Sequence, residues 1–436
     1  MVRARQFILL VGDIILCYLS LFITVVIGFW NNFNWEIYAK HALPFSLIFF
    51  FWLVILYIFG LYDLDLIRPK VEFLLRIGET FIISLLIGAT FFYTVPFFKI
   101  TPKTNLLIEI AIFTLFAFLW RKLFCSLFSS FYRQNIAFLG ENPLAKKLAE
   151  KFIAQPQLGY KPVGFINIKG KLFQQLKNKK VDTLAITDDI SQNPKLVEEL
   201  YNSLPLRINL IDFSEIYEII FRKIPIDFID YNWFLKNLRE GKKRVYDNVK
   251  RIEDVILASL IIILTSPLWL IFSLLIKLGD KGPVFYRQER VGKNKEVFWL
   301  WKFRSMKTDS EKNGAQWAKK KDKRITKIGS FLRKSHLDEI AQMINVAKGD
   351  LSMVGPRPER PVFVKKLEKE IPHYHLRHII KPGFTGWAQV NFRYARTILD
   401  SYEKFQYDLY YLKNRSFSLD LSCLLKTFYL FFKRES

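Results

Sequence analysis

Cysteine is scarce in this sequence, with three residues among 436, Cys17, Cys125 and Cys423, each within an apolar run. Such a scattered set has neither the density of a disulfide-stabilised scaffold nor the paired spacing of a zinc site. The pattern excludes both architectures and fits a reducing compartment. The first apolar stretch lacks a small-residue cleavage site and is longer than a signal peptide, so we expect it to remain as a membrane anchor.

Acidic residues are also few, 40 against 65 Lys and Arg, which gives a formal net charge of +25. Nucleic acids, anionic lipid head groups and phosphorylated substrates all attract such a surface. Hydrophobic residues make up 51% of the chain and include 42 Phe, more than a soluble core requires. Composition therefore favours a membrane protein over a protein that binds nucleic acid.

Long apolar segments fill the first part of the chain, and each is near the roughly 20 residues that a membrane-spanning helix requires. They run approximately from Phe7 to Trp30, from Ala42 to Tyr62, from Ile77 to Phe98 and from Leu106 to Phe124. We therefore predict a domain of four transmembrane helices over residues 1–130.

The basic residues beside these segments predict their orientation. They cluster before the first segment, between the second and third, and at or after the end of the fourth: Arg3, Arg5, Arg68, Lys70, Arg76, Arg121, Lys122 and Arg133. The positive-inside rule then predicts that the N-terminus and everything after the fourth segment lie in the cytoplasm. Asp13 and Glu109 lie within spans, where a functional role is open but snorkelling or an inter-helix hydrogen bond is favoured.

Residues 133–240 have a different pattern, in which strands and helices alternate. NIAFLG predicts a strand that ends at Gly140, and VDTLAIT and RINLIDF predict further strands with helical segments between them. This alternation is typical of a small parallel sheet of Rossmann type. The glycine-rich fingerprint G-x-G-x-x-G is missing, because only Gly140 stands at that place. The sequence thus indicates no cofactor here and favours a structural or regulatory role.

The third region, residues 242–436, contains another apolar run from Val255 to Ile276, which Ser266 and Pro267 interrupt. Proline removes a backbone donor and clashes with the preceding turn, so we expect a kink or a break. One interpretation is a fifth spanning helix, which would place the remainder outside the cell. The other is a re-entrant helical hairpin over about 251–278, and apolar length alone does not decide between them.

Residues suited to phosphate chemistry follow this run. A basic group that presents forks and point charges to phosphate oxygens includes Arg287, Arg290, Lys293, Lys302 and Arg304, with contact to lipid head groups as the alternative role. In RKSHLDE, Asp338 and Glu339 are adjacent carboxylates at a predicted helix start, where negative charge is favourable. They could be an ordinary helix cap, or one could attack phosphorus while the other holds a divalent metal.

Two further segments offer candidate site residues. In GPRPERP, Pro356 and Pro358 restrict the backbone around Arg357, which is either a phosphate clamp or part of a structural turn. FQYDLYYLKNRS puts Asp408 in an aromatic setting, as a second metal ligand or an orienting carboxylate. A metal site is only weakly suggested by the histidines at 373, 375 and 378, because no cysteine or carboxylate completes the set.

Seven motifs in order resemble the bacterial sugar transferase family, the polyprenyl-phosphate hexose-1-phosphate transferases with a monotopic catalytic fold. They cover Lys242 to the end of the chain: KRVYDNVKRIEDVILASLIIILTSPLWL, GPVFYRQERVG, KFRSM, FLRKSHLDE, GDLSMVGPRPERP, KPGFTGWAQVN and YDLYYLKNRS. Any one motif is weak, but seven in order are specific. The preceding helices and the Rossmann-like domain resemble the larger members, which prime exopolysaccharide, capsule or O-antigen synthesis.

The resemblance implies a role for each matching residue. Asp338 matches the nucleophile that attacks the sugar-linked phosphate of a UDP-sugar and releases UMP, and Glu339 matches the carboxylate that binds magnesium (Mg²⁺), with Asp338 beside the metal. Substrate contacts are implied or expected for Arg357, Arg333, Lys302, Arg304, Asp408 and Arg287. Ser266-Pro267 matches the break of the re-entrant hairpin. Polyprenyl phosphate would then take the sugar phosphate from the enzyme at the cytoplasmic face of the bacterial inner membrane, and a homodimer is expected by analogy.

Two other functions remain as alternatives. A membrane-anchored nucleotide-sugar dehydratase or epimerase needs a Tyr-x-x-x-Lys pair, a spacing that Tyr246 and Lys250 match, but it also needs the missing glycine-rich loop. A non-catalytic scaffold for polysaccharide assembly would be favoured by loss of the Asp-Glu pair, which is intact here. The sequence does not indicate which sugar is transferred, because that choice depends on hydrogen bonds set by the fold.

Overall fold

The computed structural model describes residues 2–64, 71–95, 103–130, 133–167, 170–187, 193–238, 240–280, 282–307, 324–392 and 397–432. The chain divides into two compact units, Met1–Ile220 and Phe221–Ser436. The second unit begins before the predicted boundary at Lys242, because isoleucines after the division pack in its hydrophobic core, at positions 224, 226 and 229. Some residues used to predict spans and orientation lie outside the described residues: Arg68, Lys70 and Phe98.

The first unit opens with helices that coincide with most of each predicted apolar segment: α1 (Val2–Gly28), α2 (Trp35–Ile58), α3 (Val71–Thr94) and α4 (Lys103–Ser130). Four described helices are long and apolar enough to cross a membrane, namely α1, α2, the Phe73–Thr94 part of α3, and Arg244–Gly279 in the second unit. α4, which carries charged residues in its interior, is not among these four.

Buried charges join α1 to α4. Arg121 donates to both carboxylate oxygens of Asp13, at 2.9 and 2.8 Å, and the two side chains are 1% and 0% exposed. One oxygen of Glu109 accepts from the Ser20 hydroxyl at 2.7 Å and the other from Thr24 at 2.9 Å. The inter-helix hydrogen bonds favoured for Asp13 and Glu109 are therefore present, and they avoid the high cost of an unpaired charge inside such a bundle.

An α/β region completes the first unit. Its strands, β1 (Gln134–Leu139), β2 (Tyr160–Ile166), β3 (Thr183–Ile186) and β4 (Asn209–Asp212), form one parallel sheet in the order β2-β1-β3-β4, as the alternating pattern predicts. Helices α5 (Pro143–Ala154), α6 (Leu172–Asn178), α7 (Pro194–Asn202) and α8 (Phe213–Phe221) connect or follow them. Gly140, directly after β1, has φ +83°, which a non-glycine residue rarely adopts.

The second unit has mainly short elements around one core. Its helices are α9 (Tyr231–Asn237), α10 (Arg244–Asp280), α11 (Lys327–Lys334), α12 (Met343–Lys348), α13 (Pro361–Glu370), α14 (Trp387–Asn391), α15 (Ile398–Asn414) and α16 (Phe417–Phe432). An antiparallel hairpin joins β5 (Phe285–Val291) to β6 (Val297–Phe303), and β7 (Ser352–Val354) pairs in parallel with β8 (Gly383–Thr385). Large buried side chains fill the core, among them Trp387, Phe405 and Tyr411.

Helix α10 continues through Ser266 and Pro267, so the break in secondary structure that the proline predicted is absent there. A bend that leaves the helix intact stays a prediction. Both halves of α10 pack on the same unit: Ala258 belongs to the main core, and Phe272 and Ile276 belong to a second apolar cluster. The side chains between these contacts are largely exposed and apolar, as suits a segment in lipid.

Candidate active site

A short 3₁₀ helix, Leu337–Gln342, carries both candidate carboxylates. His336 precedes it with φ +54°, and this left-handed residue turns the chain sharply between α11 and the 3₁₀ helix. α11 itself lies against the backbone of Ser305, since a Cβ on Gly329 would fall 1.9 Å from the Ser305 carbonyl oxygen. This close approach lets Arg333 donate from Nε to the Ser305 hydroxyl at 2.9 Å.

Glu339 is held by two cations. Lys302 Nζ and Arg357 Nη2 both donate to its Oε1, at 2.6 and 2.8 Å, and the Glu339 side chain is 15% exposed. Burial would raise the pKa of this carboxyl, but the charges and hydrogen bonds of Arg357 and Lys302 outweigh it and hold the pKa well below its ordinary range. Glu339 is therefore a fixed anion.

Asp338, the adjacent residue, is in the opposite condition. It is 7% exposed, and in the described part of the chain no residue bonds or pairs with its carboxylate. Burial raises its pKa above the ordinary aspartate value, with Glu339 adding to the shift and Lys302 and Arg333 opposing it. A desolvated carboxylate without a fixed partner has the properties of a nucleophile.

The loop that carries Arg357 is anchored by a buried ion pair. Arg377 Nη2 donates to Asp408 Oδ2 at 2.8 Å and to the Arg357 carbonyl at 2.9 Å, and Nη1 donates to the Tyr374 hydroxyl at 2.8 Å. Arg377 and Asp408 are 2% and 3% exposed. Of the two roles open for Asp408, the geometry favours an orienting carboxylate, because one of its oxygens is committed to Arg377.

A second support for the same loop comes from the hairpin. Arg290 on β5 donates from Nη1 to the Pro358 carbonyl at 2.9 Å and lies 3.8 Å from Glu359, which also accepts from Lys404 at 2.8 Å. Burial would raise the pKa of Glu359, but Lys404 and Arg377 outweigh it and lower the pKa to about 2. The sequence singles out Arg290 only as one basic residue of several, since its bond to the loop is to a backbone carbonyl, which no side-chain pattern reveals.

The register of the hairpin decides which predicted residues share the face of Lys302. Lys302 pairs across the strands with Tyr286, whereas Arg287 pairs with Trp301. Neighbouring residues of a strand face opposite sides, so Arg287 lies on the face opposite to Lys302. There its guanidinium stacks over the Trp301 ring, 5.0 Å from the centroid. The structure therefore does not bring Arg287 to the carboxylate pair.

Arg304, the remaining predicted contact, is buried beside the turn that precedes β5. A Cβ on Gly282 would fall 1.6 Å from its Nη1, so the glycine makes room for the guanidinium. Among the described residues around Asp338 and Glu339, cations outnumber carboxylates. The cations are Lys302, Arg333, Arg357, Arg290, Arg377 and Lys404, and the carboxylates are Asp338, Glu339, Glu359 and Asp408. Such a site favours the binding of a further anion.

The Tyr246 and Lys250 pair, which matched the spacing of a dehydratase or epimerase, has a structural partner. The Tyr246 hydroxyl and Lys250 Nζ both donate to Asp420 Oδ2, at 2.6 and 2.5 Å. Asp420 is 1% exposed and also accepts from the Tyr411 hydroxyl at 2.6 Å. The pair therefore ties the start of α10 to α16.

Magnesium needs oxygen ligands, and it commonly takes one or two from protein carboxylates and the rest from substrate phosphates and water. The described residues hold no group of three or more His, Cys, Asp or Glu side chains close enough to bind a metal ion. They do offer two adjacent carboxylates, one of which, Asp338, has no partner in the described part of the chain. Asp338 and Glu339 are thus donors of the kind that magnesium takes, with substrate oxygens to complete the set, and their binding of the ion stays a prediction.

Comparison with known proteins gives consistent matches. Residues 245–434 match the family model described as bacterial sugar transferase. The chain is 42% identical over 220 residues to the UDP-N-acetylgalactosamine-undecaprenyl-phosphate N-acetylgalactosaminephosphotransferase of Aeromonas hydrophila, which covers 50% of this chain and 51% of that protein. It is 32% identical over 324 residues to the UDP-glucose:undecaprenyl-phosphate glucose-1-phosphate transferase of Klebsiella pneumoniae, which covers 70% of this chain and 69% of that protein.

A third relative has the same description as the second. The UDP-glucose:undecaprenyl-phosphate glucose-1-phosphate transferase of Escherichia coli (strain K12) is 33% identical over 313 residues, 68% of this chain and 67% of that protein. The matched chain thus spans about half the length of the Aeromonas relative and about two thirds of the length of the other two.

Proposed function

Because the chain belongs to the bacterial sugar transferase family, we propose that it transfers a sugar-1-phosphate from a UDP-sugar to polyprenyl (undecaprenyl) phosphate. The products are UMP and a polyprenyl-diphosphate sugar, the first intermediate of an exopolysaccharide, a capsule or an O-antigen. The observation that carries this proposal is the asymmetry of the two adjacent carboxylates: Glu339 is bonded by Lys302 and Arg357, whereas Asp338 is buried and has no partner in the described part of the chain.

The first half-reaction uses Asp338 as the nucleophile. Its carboxylate oxygen forms a bond to the sugar-linked phosphorus, and the bond from that phosphorus to the bridging oxygen of the diphosphate breaks. UMP leaves with the bridging oxygen and its electron pair, and the sugar phosphate stays on the aspartate as an acyl phosphate. Lys302 and Arg357, which both bond to Glu339, face the negative charge of the phosphate groups. Arg357 can donate two hydrogen bonds to phosphate oxygens once the substrate competes with Glu339.

The second half-reaction regenerates the enzyme. An oxygen of polyprenyl phosphate attacks the same phosphorus, and the bond to the Asp338 oxygen breaks, which returns the carboxylate. The substrates therefore react in turn, and ping-pong kinetics are expected. Asp338 and Glu339 would hold the magnesium ion, whose charge supplies neutralisation of the phosphate oxygens when it is bound.

A lipid substrate requires the site to lie at the membrane surface, and we propose that α10 is re-entrant. Near its start, Arg251 donates to the Val346 and Ala347 carbonyls, both at 2.6 Å, and further on the Phe272 ring lies 5.8 Å from that of Phe303. A straight helix would separate Arg251 from Phe272 by about 32 Å. Contacts at both places with one body favour a bent helix that enters and leaves by the same face.

The source of the donor substrate indicates the localisation. UDP-sugars are made in the cytoplasm, so we propose a multi-pass protein of the inner membrane with the second unit at its cytoplasmic face. The clusters of Lys and Arg beside the first segments support this orientation. A homodimer stays an expectation by analogy with larger members of the family.

The test is UMP release by the purified full chain in detergent, with a panel of UDP-sugars and with polyprenyl phosphate and magnesium present or omitted. Turnover of one or two sugars that needs both the lipid and the metal is expected. If every UDP-sugar is inert with folded, magnesium-loaded protein, the donor is of another kind or the chain is a scaffold for polysaccharide assembly.

A further inference from the structure

A groove of about 560 Å³ runs between α1 and α4 in the first unit. Most of its lining is apolar, and the exceptions are Lys122 and Ser126: Leu16, Leu19, Phe116, Leu119, Trp120, Lys122, Leu123 and Ser126. Its volume lies within the range of ordinary ligand sites, about 300–1,000 Å³. Apolar walls with a polar group at one end suit a lipid chain that ends in a polar head.

The wall of this groove is built to a defined shape. A Cβ on Gly12 would fall 2.4 Å from the Trp120 indole, so the glycine admits the ring between the helices. Trp120 Nε1 points to the Leu9 carbonyl at 3.4 Å. Next to it, Arg121 is fixed inward by Asp13. The contact between the helices is thus closed on the side of Trp120 and Arg121, and the groove beside it is open to the surroundings.

Lys122 lies on that open side and is exposed. No carboxylate in the described part of the chain pairs with it. Because Arg121 is level with Asp13, ten residues of α1 separate this level from Arg3, which is about 15 Å along the helix. A lysine at such a depth is costly unless its ammonium group reaches an anion at the head-group region.

We propose that the α1–α4 groove binds an anionic glycerophospholipid, with an acyl chain against the apolar wall and the phosphate on Lys122. The positive-inside orientation puts this end of α4 at the cytoplasmic leaflet, whose lipids include anionic ones. Glycerophospholipids are also the bulk of the membrane, so mass action favours them over a rare isoprenoid phosphate. The proposal rests on the proposed orientation and not on the transferase reaction.

The test is native mass spectrometry of the full chain in detergent, titrated with phosphatidylglycerol or with phosphatidylcholine. Wild type is expected to retain phosphatidylglycerol in preference to phosphatidylcholine. Lys122→Gln should weaken phosphatidylglycerol binding about five- to tenfold, the effect of one lysine near a charged surface. Leu119→Trp, which fills the groove, should reduce binding of both lipids. Lys40→Gln is the matched control, because Lys40 also lies on a membrane helix but pairs with Glu36 at 2.8 Å.

Three results would overturn the proposal. Equal retention of the two lipids by wild type would show that the protein does not distinguish an anionic head group from a zwitterionic one. Unchanged binding in Lys122→Gln or Leu119→Trp, with helix content and melting temperature as in wild type, would place the lipid elsewhere. Displacement of phosphatidylglycerol by equimolar polyprenyl phosphate would assign the groove to the isoprenoid. Binding is read as mass, so each result is independent of whether UMP is released.

Discussion

Buried charge is arranged in opposite ways in the helices α1 and α4 and in the second unit. Between α1 and α4, both oxygens of Asp13 bond to Arg121, and both oxygens of Glu109 bond to hydroxyls. In the second unit, two cations share one oxygen of Glu339, and Asp338 beside it has no partner among the described residues. The charges that join two helices are fully matched, whereas Asp338, the nucleophile of the proposed reaction, is unmatched and so carries an unfavourable desolvation energy.

The largest expected effect is on activity. Asp338→Asn removes the attacking oxygen anion, so UMP release should fall at least roughly 1,000-fold, which corresponds to about 4 kcal/mol of activation free energy. The same change should raise the melting temperature slightly, because it removes a buried carboxylate whose pKa is raised by burial. UMP release and thermal unfolding of the same preparation check both. Glu198→Gln, at an exposed carboxylate of α7, is the control and should change neither. A lower melting temperature for Asp338→Asn would contradict the description of Asp338 as a buried carboxylate without a partner.

A loss of stability is expected when the buried pair of Asp13 and Arg121 is broken. Asp13→Asn leaves Arg121 charged in the bundle, and breaking such a buried pair costs about 3–5 kcal/mol. The first unit should therefore melt at a clearly lower temperature, as thermal unfolding in detergent will measure. The double variant Asp13→Asn with Arg121→Gln should recover much of the loss, since no uncompensated charge remains. A single variant as stable as wild type would show that water or lipid already satisfies Arg121.

Glu339 shares a feature with each side of this comparison, because it is paired like Asp13 and belongs to the candidate site like Asp338. Glu339→Gln leaves Lys302 and Arg357 without their shared anion, and a loss of about 1–3 kcal/mol in stability is expected. The depressed pKa means that the ionised form contributes stability above the unfolded carboxyl pKa, and this contribution is lost as pH falls through the folded value. The difference in melting temperature between wild type and variant should therefore shrink in acid. A difference that stays constant down to the folded pKa would contradict the ion-pair account.

The sequence predicted the parts of the site that lie within one local motif. Asp338 and Glu339 are adjacent, so their different roles were visible as a hypothesis before their partners were known, and Arg357 was marked by its two prolines. The sequence does not single out Arg377, because its partner Asp408 is 31 residues away and another of its acceptors is the Arg357 carbonyl. Arg287 was placed with the site from its charge alone, although strand register turns it to the other face.

The fold could likewise be predicted where it depends on local sequence patterns. Apolar length indicated the helices α1 to α4, and alternation indicated the parallel sheet, since both depend on local periodicity. The predicted boundary lies at Lys242, whereas the second compact unit begins at Phe221, since isoleucines such as Ile224 pack in its core. The sequence predicted a kink or a break at Pro267, and the structure keeps the helix continuous through that position, since a proline removes one backbone hydrogen bond and the others of the helix can remain.

The smallest expected effect is on pH dependence, and it concerns the coupling between the open and the fixed carboxylate. Attack needs ionised Asp338, so kcat/KM should fall as pH drops through its raised pKa. Lys302 lowers this pKa, and Lys302→Gln should therefore move the acid limb to higher pH by about 0.5–1 unit, close to 1 kcal/mol. The profile of UMP release against pH measures the shift, with Lys195→Gln in the α/β region as the control. An acid limb at the same pH in both variants would mean that Lys302 acts on Glu339 alone and that the pKa of Asp338 does not depend on it.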